Sequence, residues 1–504
     1  MNKRSVRSKL AYAPLAVLIA CSLLLLPTLS SLPRLAFGPG RDDVYAPSAT
    51  PDFARYDELH TLSPHEFPID EPDRRVIIVG DLHGKYKYLK NLLDSISYNP
   101  PKDVLVHVGD VTAKSSLPKA LTLLNFLSSN NITGVRGNHD QNVVEWRGWL
   151  NWIHTLPGGS DWLADETAKW AHAHDKGTKL KIWNQRRRNE CKKNDCGFWW
   201  KRIPKSWRLF GDHFKIAEAM TVQDYEYLIR LPLKIHVPSA NAFIIHAGLL
   251  SSDPKYPPDH HKQPLARRPI VPRPREGIEN IPLMRRRQES RILTEVEPNT
   301  DPYINLNLRS IQGTEPTRAH KGLPWSNIWN RDMSNCQGYQ DTVSKDALPC
   351  YPSTVVYGHA ASRGLDIKRW TVGIDSGCVT GNRLSALIIG GPIPSDEEED
   401  NNGDSDGQDQ AILGTTNPLD EEEDEMDAYA YIDDDILADE DEEDEEHYGE
   451  YDEDEGQNAE GEADDDDTEA NKKKKPKKKT PKTPKVIPFG DNRQARIVSV
   501  PCHK

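Results

Sequence analysis

A chain of 504 residues with a formal net charge of −14 and 36% hydrophobic residues has room for two to four domains. Its acidity is unevenly spread: Asp396 to Glu469 holds 38 acidic residues and no Lys or Arg, which leaves 40 acids against 64 bases elsewhere. That remainder, with a surplus of 24 positive charges, excludes a uniformly acidic protein and suits a polyanionic partner, while the acidic block is expected to be disordered.

Lys3, Arg4, Arg7 and Lys9 precede an uncharged run from Leu10 to Leu32, enough for the roughly 20 residues that a bilayer span needs. The positive-inside rule puts the N-terminus in the cytosol and the body across the membrane. Residues 1–37 therefore read as a basic N-terminus with a transmembrane signal anchor. A cleaved signal peptide is the rival, but no clear small-residue cleavage site follows. Residues 38–71, rich in Pro, Asp and Ser, read as a stalk.

From Arg74 to about Val144 the pattern is βαβαβ. Val76 to Val79, Val104 to Val108 and Ile132 to Val135 read as strands. Tyr86, Leu89, Leu92 and Leu93, then Leu117, Leu121, Leu124 and Leu127, fall at helical spacing between them. The expectation is a layered α/β core within residues 72–391. Residues 146–210, aromatic and basic, read as a helical cap, and Ile216 to Leu233 as an amphipathic helix. Residues 251–351, rich in Pro and Arg, read as a largely looped insert. Strands at Val355 to Tyr357 and Leu384 to Ile389 close the core near Gly391, leaving 392–470 as the acidic region and 471–504 as a Lys-rich tail. A lumenal body permits disulfides. Among seven cysteines, Cys191 with Cys196 and Cys336 with Cys350 are plausible local pairs, with scattered reduced thiols as the alternative.

Five polar clusters end these apolar runs: Gly80-Asp81-Leu82-His83-Gly84, Gly109-Asp110, Gly137-Asn138-His139-Asp140, His246-Ala247-Gly248 and Gly358-His359. Each alone is commonly a turn or a satisfied core histidine. Together they gather carboxylate, imidazole and amide groups at strand ends. Asp81, His83 and Asp110 would hold one divalent ion, and Asp110, Asn138, His246 and His359 a second, with Asp110 bridging. Mixed N/O ligation suits Zn, Mn, Co or Fe, with Zn the first expectation. Two such ions about 3.5–4 Å apart hold a bridging hydroxide and neutralise phosphoryl oxygens during in-line displacement. His139 is placed to protonate the leaving oxygen. Lys114, Arg136 and Arg363 are the candidate substrate cations, with Arg363 preferred to Arg136, whose alternative role is to buttress the sheet.

These motifs resemble the calcineurin-like metallophosphoesterases of the phosphoprotein-phosphatase superfamily, in particular the diadenosine-tetraphosphatase-like branch. The resemblance covers about Arg74 to Gly391, and Ile374-Asp375-Ser376-Gly377-Cys378-Val379 is similar to the family's closing signature. It implies a central β-sandwich flanked by helices and a dinuclear metal site. Where the protein phosphatases of that superfamily carry an Asp that orients the catalytic histidine and then an Arg, this chain has Ala113 and Lys114. Asp140 or a water is expected to replace the missing carboxylate. Lys114 keeps a cation without the bidentate fork.

These departures turn the expectation from phosphoproteins to phosphoanhydrides. Anchor, basic body and branch together are similar to the membrane-anchored polyphosphate hydrolases of fungal vacuoles. The expected partner is inorganic polyphosphate, cut at internal bonds in the vacuolar lumen, with the membrane reached through the anchor and no nucleic-acid partner. Arg and Lys of the cap and the long insert would track the polyanion, unless those runs are solvated loop charges. The alternatives are a dinucleoside-polyphosphate or mRNA-cap hydrolase with Trp199 and Trp200 stacking a base, a Ser/Thr protein phosphatase, or a membrane-tethered polyanion-binding module.

Overall fold

Val76, Ile77, Ile78 and Val79 are all buried, so the strand they form must be covered on both faces. Ile77 and Val79 join a cluster with the helices that follow; Val76 and Ile78 join a cluster with a second sheet. The protein, seen in a computed structural model, is described over residues 50–192, 196–271, 280–339, 347–391 and 485–503.

In chain order the strands are β1 (Asp57–Thr61), β2 (Arg75–Val79), β3 (Asp103–His107), β4 (Thr133–Gly134), β5 (Pro232–Val237), β6 (Ala242–Ile245), β7 (Ser310–Gln312), β8 (Glu315–Thr317), β9 (Leu323–Pro324), β10 (Thr354–Tyr357), β11 (Asp366–Ile367), β12 (Thr371–Gly373), β13 (Arg383–Gly390), β14 (Lys485–Phe489) and β15 (Arg493–Pro501). One six-stranded sheet has the order β14-β15-β13-β2-β3-β4 and another the order β1-β5-β6-β10-β12-β11. Within them β2, β3 and β4 are mutually parallel, as are β6, β10 and β12. Parallel strands end at one edge, so each sheet offers three neighbouring strand ends to a single site.

Between the sheets Val76, Ile78, Val106, Ile235, Ile244 and Val356 are buried against one another, each stabilising the fold by roughly 1.5–3 kcal/mol relative to exposure. The outer face of the first sheet is covered by α1 (Tyr86–Ser95) and α2 (Leu117–Ser129), through Leu89, Leu92 and Leu93 and through Leu123, Leu124 and Leu127. This is the β-sandwich flanked by helices that was expected.

The cap is helical, as its composition suggested: α3 (Asn138–Ile153), α4 (Gly159–Asp175), α5 (Leu180–Cys191) and α6 (Gly197–Trp200) lead to α7 (Asp212–Ala219) and α8 (Val222–Arg230). The last two replace the single helix expected from Ile216 to Leu233. Its indoles are core: Trp200 is buried, and the Trp162 and Trp199 rings lie 5.6 Å apart at 18°. Neither Trp199 nor Trp200 is a free platform for a base. Two arginines of its basic run also turn inward. Arg187 pairs with buried Glu166, and Arg188 donates to the carbonyls of Ile203, Pro204 and Trp207.

Three expected boundaries are corrected. The stalk does not extend to residue 71, because β1 pairs in parallel with β5, and Leu62 and Phe67 are buried. Residues 251–351 are not largely loop. They contain α9 (Ile281–Glu295), α10 (Pro302–Asn307), α11 (Trp325–Ser334) and the small sheet of β7, β8 and β9. Ile292, Leu293, Trp325 and Trp329 cover Phe243, Ile245, Val355 and Tyr357 on the outer face of the second sheet, which would otherwise be exposed. The core does not close near Gly391 either. β15 pairs with β13 from Arg383 to Ile389, and Ile487, Phe489, Ala495 and Ile497 enter the space between the sheets.

Both local cysteine pairs form, together with a third, Cys378–Cys502, between residues 124 apart in sequence. The proposed anchor, the acidic region and the Lys-rich tract before residue 485 lie outside the described residues. Among the described residues, no helix is long and apolar enough to cross a membrane.

Candidate metal centre

Every motif residue sits just past the end of a parallel strand. Asp81 and His83 follow β2, Asp110 follows β3, and Asn138 and His139 open α3 after β4. From the other sheet, His246 follows β6 and His359 follows β10. The centre therefore spans the edge of the sandwich. Close approach needs glycine at two points: a Cβ on Gly137 would overlap the Asp110 carboxylate, and one on Gly358 would overlap that of Asp81.

His83, Asp110 and His359 have left-handed backbone, with φ of 41°, 49° and 65°. Such a conformation costs about 1–3 kcal/mol for a non-glycine residue, and the surrounding bonds impose it. Asp110 accepts from the His139 N–H at 3.1 Å, and the N–H groups of Leu82 and His83 donate to the Asp110 carbonyl.

Two groups of side chains converge, Asp81 with His83 and Asp110, and Asp110 with His246 and His359, and all five are buried. His83 Nε2 is 3.6 Å from Asp110 Oδ2 and His246 Nε2 is 3.4 Å from Asp110 Oδ1. The opposite ring nitrogens are occupied: Nδ1 of His246 lies 2.8 Å from the Val108 carbonyl and Nδ1 of His83 lies 3.3 Å from that of Thr112. A histidine held this way presents a lone pair on Nε2. Asn138 Oδ1 lies 3.0 Å from His246 Nε2, on the side of the second group. Burial pushes His246 down to about 4, and it holds His83 and His359 well below the usual imidazole range. Neutral imidazoles are the ligand form. Burial, then Asp375, then Asp110 raise the Asp81 carboxyl well above its ordinary range.

This set fits two divalent ions. Among the described residues, buried His359 Nε2 has no hydrogen-bond partner, and three acids crowd one buried space. Asp81, His83 and Asp110 would hold one ion, and Asp110, Asn138, His246 and His359 the other. The donors are nitrogen and oxygen, and they do not select one metal among Zn, Mn, Co and Fe.

His139 and Lys114 line the same cleft. Asp140 does not orient His139 as expected. Its carboxylate accepts from the N–H groups of Val111, Thr112 and Gly137 and from the Thr112 hydroxyl, so it locks the turn after Asp110. Instead His139 Nδ1 lies 2.8 Å from Nε2 of His213, the second residue of α7.

Arg136 is not a substrate cation. It is fully buried and donates to the carbonyls of Arg55, Leu228 and Ile229 and to Gln141 Oε1, a brace between elements. Arg363 donates to the backbone carbonyl of Arg309, and it is Arg309 that lines the cleft. Sequence reading passed over Arg309 because it lies within the supposed loop. Asp375 also lines the cleft, and the closing signature that contains it was its signal. His213 had only an indirect signal, the absence of a carboxylate at Ala113.

A sandwich whose strand ends present a shared carboxylate between two imidazole-rich groups defines a dinuclear metal centre of the phosphoesterase kind. Residues 74–247 match the family described as calcineurin-like phosphoesterase. Serine/threonine-protein phosphatase 1 of Salmonella typhimurium is 36% identical over 98 residues, which is 19% of this chain and 44% of that protein. The symmetrical bis(5'-nucleosyl)-tetraphosphatase of Haemophilus ducreyi is 44% identical over 69 residues, 13% of this chain and 25% of that protein. The chain thus spans less than half the length of these curated relatives. A crystal structure described as a candidate diadenosine tetraphosphatase is similar at 23% identity and a TM-score of 0.34, covering 66% of this chain and 94% of that one.

Proposed function

We propose that this chain is a metal-dependent hydrolase of phosphoanhydrides, and that its substrate is inorganic polyphosphate, cut at internal bonds. The observation that carries this reading is one cleft that joins the two ligand groups to Lys114, Arg309 and His139. When bound, the two ions supply Lewis acidity and an activated water. Lys114 and Arg309 bring positive charge to the phosphoryl group, and His139 stands ready to give its proton to the departing oxygen.

Ala113 favours anhydrides over phosphoproteins, since the carboxylate used by the protein phosphatases of the superfamily is missing there. A phosphate leaving group also needs less help from an acid than a serine alkoxide does. The resemblance to the endopolyphosphatases of fungal vacuoles supports a long-chain substrate, as does the 24-charge basic surplus outside the acidic block. On this reading the apolar run from Leu10 to Leu32 anchors the protein in the vacuolar membrane, with the catalytic body in the lumen. The test is the length of the products formed from long-chain polyphosphate with Zn, Mn, Co or Mg. Intermediate lengths are expected. Intact polyphosphate, with phosphate released from phosphopeptides, would overturn the proposal.

The similarity to a bis(5'-nucleosyl)-tetraphosphatase favours a second reading, hydrolysis of dinucleoside polyphosphates. Faster turnover of such a dinucleotide than of polyphosphate at equal phosphate concentration would establish it.

A further inference from the structure

His139 needs a partner on Nδ1 if Nε2 is to carry the proton given to a leaving group. The carboxylate that could serve is absent: Ala113 has a methyl group, is buried, and has left-handed backbone with φ of 64°. Asp140 spends its carboxylate on the N–H groups of Val111, Thr112 and Gly137 and on the Thr112 hydroxyl.

The cap fills the gap. At the start of α7, Asp212 accepts a short hydrogen bond from the Lys114 N–H, where φ is 52°. The next residue, His213, brings Nε2 to 2.8 Å from His139 Nδ1. The two rings lie within 8° of parallel with centroids 5.1 Å apart. Face-to-face rings keep their atoms about 3.5 Å apart or more, so a 2.8 Å approach means that the rings meet edge to edge in nearly one plane. That is the geometry of an in-line N–H···N hydrogen bond.

We propose that His213 is the positioning residue for His139, taking over from the cap the task of the carboxylate missing at Ala113. His213 Nε2 accepts from His139 Nδ1–H, as the missing carboxylate would, and so aims His139 Nε2 at the leaving oxygen. When doubly protonated His139 gives its Nε2 proton to that oxygen, the ring becomes neutral and keeps its Nδ1–H on His213 Nε2. The pair loses one proton and one positive charge together, and neither ring becomes an anion. The cap thereby acts on the chemistry as well as covering the sheet.

The experiment uses the full chain with metal, phenyl phosphate and 4-nitrophenyl phosphate as probes, and the variants His213→Ala, His213→Gln and His213→Ala with Ala113→Asp. Phenolate is the poorer leaving group and depends more on the acid. For His213→Ala, kcat on phenyl phosphate is expected to fall on the order of 10²-fold and on 4-nitrophenyl phosphate only a few-fold, with KM and metal content unchanged. Adding Ala113→Asp is expected to restore roughly ten-fold of the lost rate. A separate arm rests on neither substrate nor metal: long-range ¹⁵N–¹H spectra of the metal-free, histidine-labelled chain. They should show the His139 Nδ1–H tautomer in the parent and in His213→Gln, and a tautomer mixture in His213→Ala. Equal losses on both probes, or a tautomer unchanged in His213→Ala, would overturn the inference. It builds on the phosphohydrolase reading, but the spectra would still decide it if polyphosphate proved not to be the substrate.

Discussion

The backbone N–H of His359 donates to both carboxylate oxygens of Asp81, at 3.2 and 3.1 Å, and this pair of contacts crosses from one sheet to the other. It places a ligand from the end of β10 against a ligand from the end of β2. Each metal group therefore depends on how closely the two strand ends approach.

Gly358 permits that approach, because its missing Cβ leaves room for the Asp81 carboxylate. Gly358→Ala is expected to push His359 and Asp81 apart. The variant should bind fewer than two equivalents of Zn or Mn per chain, with turnover reduced at least about 10²-fold. Elemental analysis after dialysis checks the first outcome. Two tightly held equivalents with full turnover would contradict it.

Removing the metal should loosen the fold itself. Asp81, Asp110 and Asp375 crowd one buried space, and burial together with their mutual repulsion raises the Asp81 carboxyl. Divalent ions relieve both. With free metal at about 100 times its dissociation constant the folded state gains about 2.7 kcal/mol. Chelation is therefore expected to lower the urea midpoint by the corresponding amount, and Zn or Mn should restore it. An unchanged midpoint would mean that the carboxylates are satisfied without cations.

Arg136 and Arg309 should separate stability from substrate binding. Arg136→Ala removes the guanidinium that donates to the carbonyls of Arg55, Leu228 and Ile229 and to the Gln141 amide oxygen. At about 1.5–3 kcal/mol for a hydrogen bond to a charged group, a loss of about 3 kcal/mol in stability follows, with little change in KM for the protein that stays folded. Arg309→Ala removes a cation from the cleft and should raise KM for phosphate substrates roughly ten-fold, with stability nearly unchanged. Denaturation and steady-state kinetics on the same preparations distinguish the two.

The ligands were legible because each one closes a short apolar strand, a signal confined to about ten residues. Asp81, His83, Asp110, Asn138, His246 and His359 meet because those strands are parallel, and parallel order follows from the βαβ pattern. What escaped reading depended on distant pairing. His213 reaches His139 across 74 residues of chain. Arg309 enters the cleft from a segment whose Pro and Arg content masked its helices. For Arg136 both substrate cation and buttress stay open in the sequence, because local sequence does not show which carbonyls surround a guanidinium, and its hydrogen bonds make it the buttress. The alternation from Arg493 to Pro501, with Ala495 and Ile497 inward, was a readable strand pattern lost behind a long polar stretch.

That C-terminal strand also makes the three disulfides unequal. Cys378–Cys502 closes 124 residues of separation, Cys336–Cys350 closes 14 and Cys191–Cys196 closes 5. In the chain-entropy view a crosslink restricts the unfolded state more as its loop lengthens, giving about 5, 3 and 2 kcal/mol in that order. The longest bridge also pins the end of β15, which lies along β13 and fills the space between the sheets with Ala495 and Ile497. Cys502→Ser should therefore lower the urea midpoint most, Cys350→Ser less, and Cys191→Ser least. Equilibrium unfolding of the three variants at one metal concentration gives the order directly. If Cys502→Ser proves no less stable than Cys191→Ser, β15 is held by its strand pairing and its buried side chains, and the long bridge adds no more than the short one.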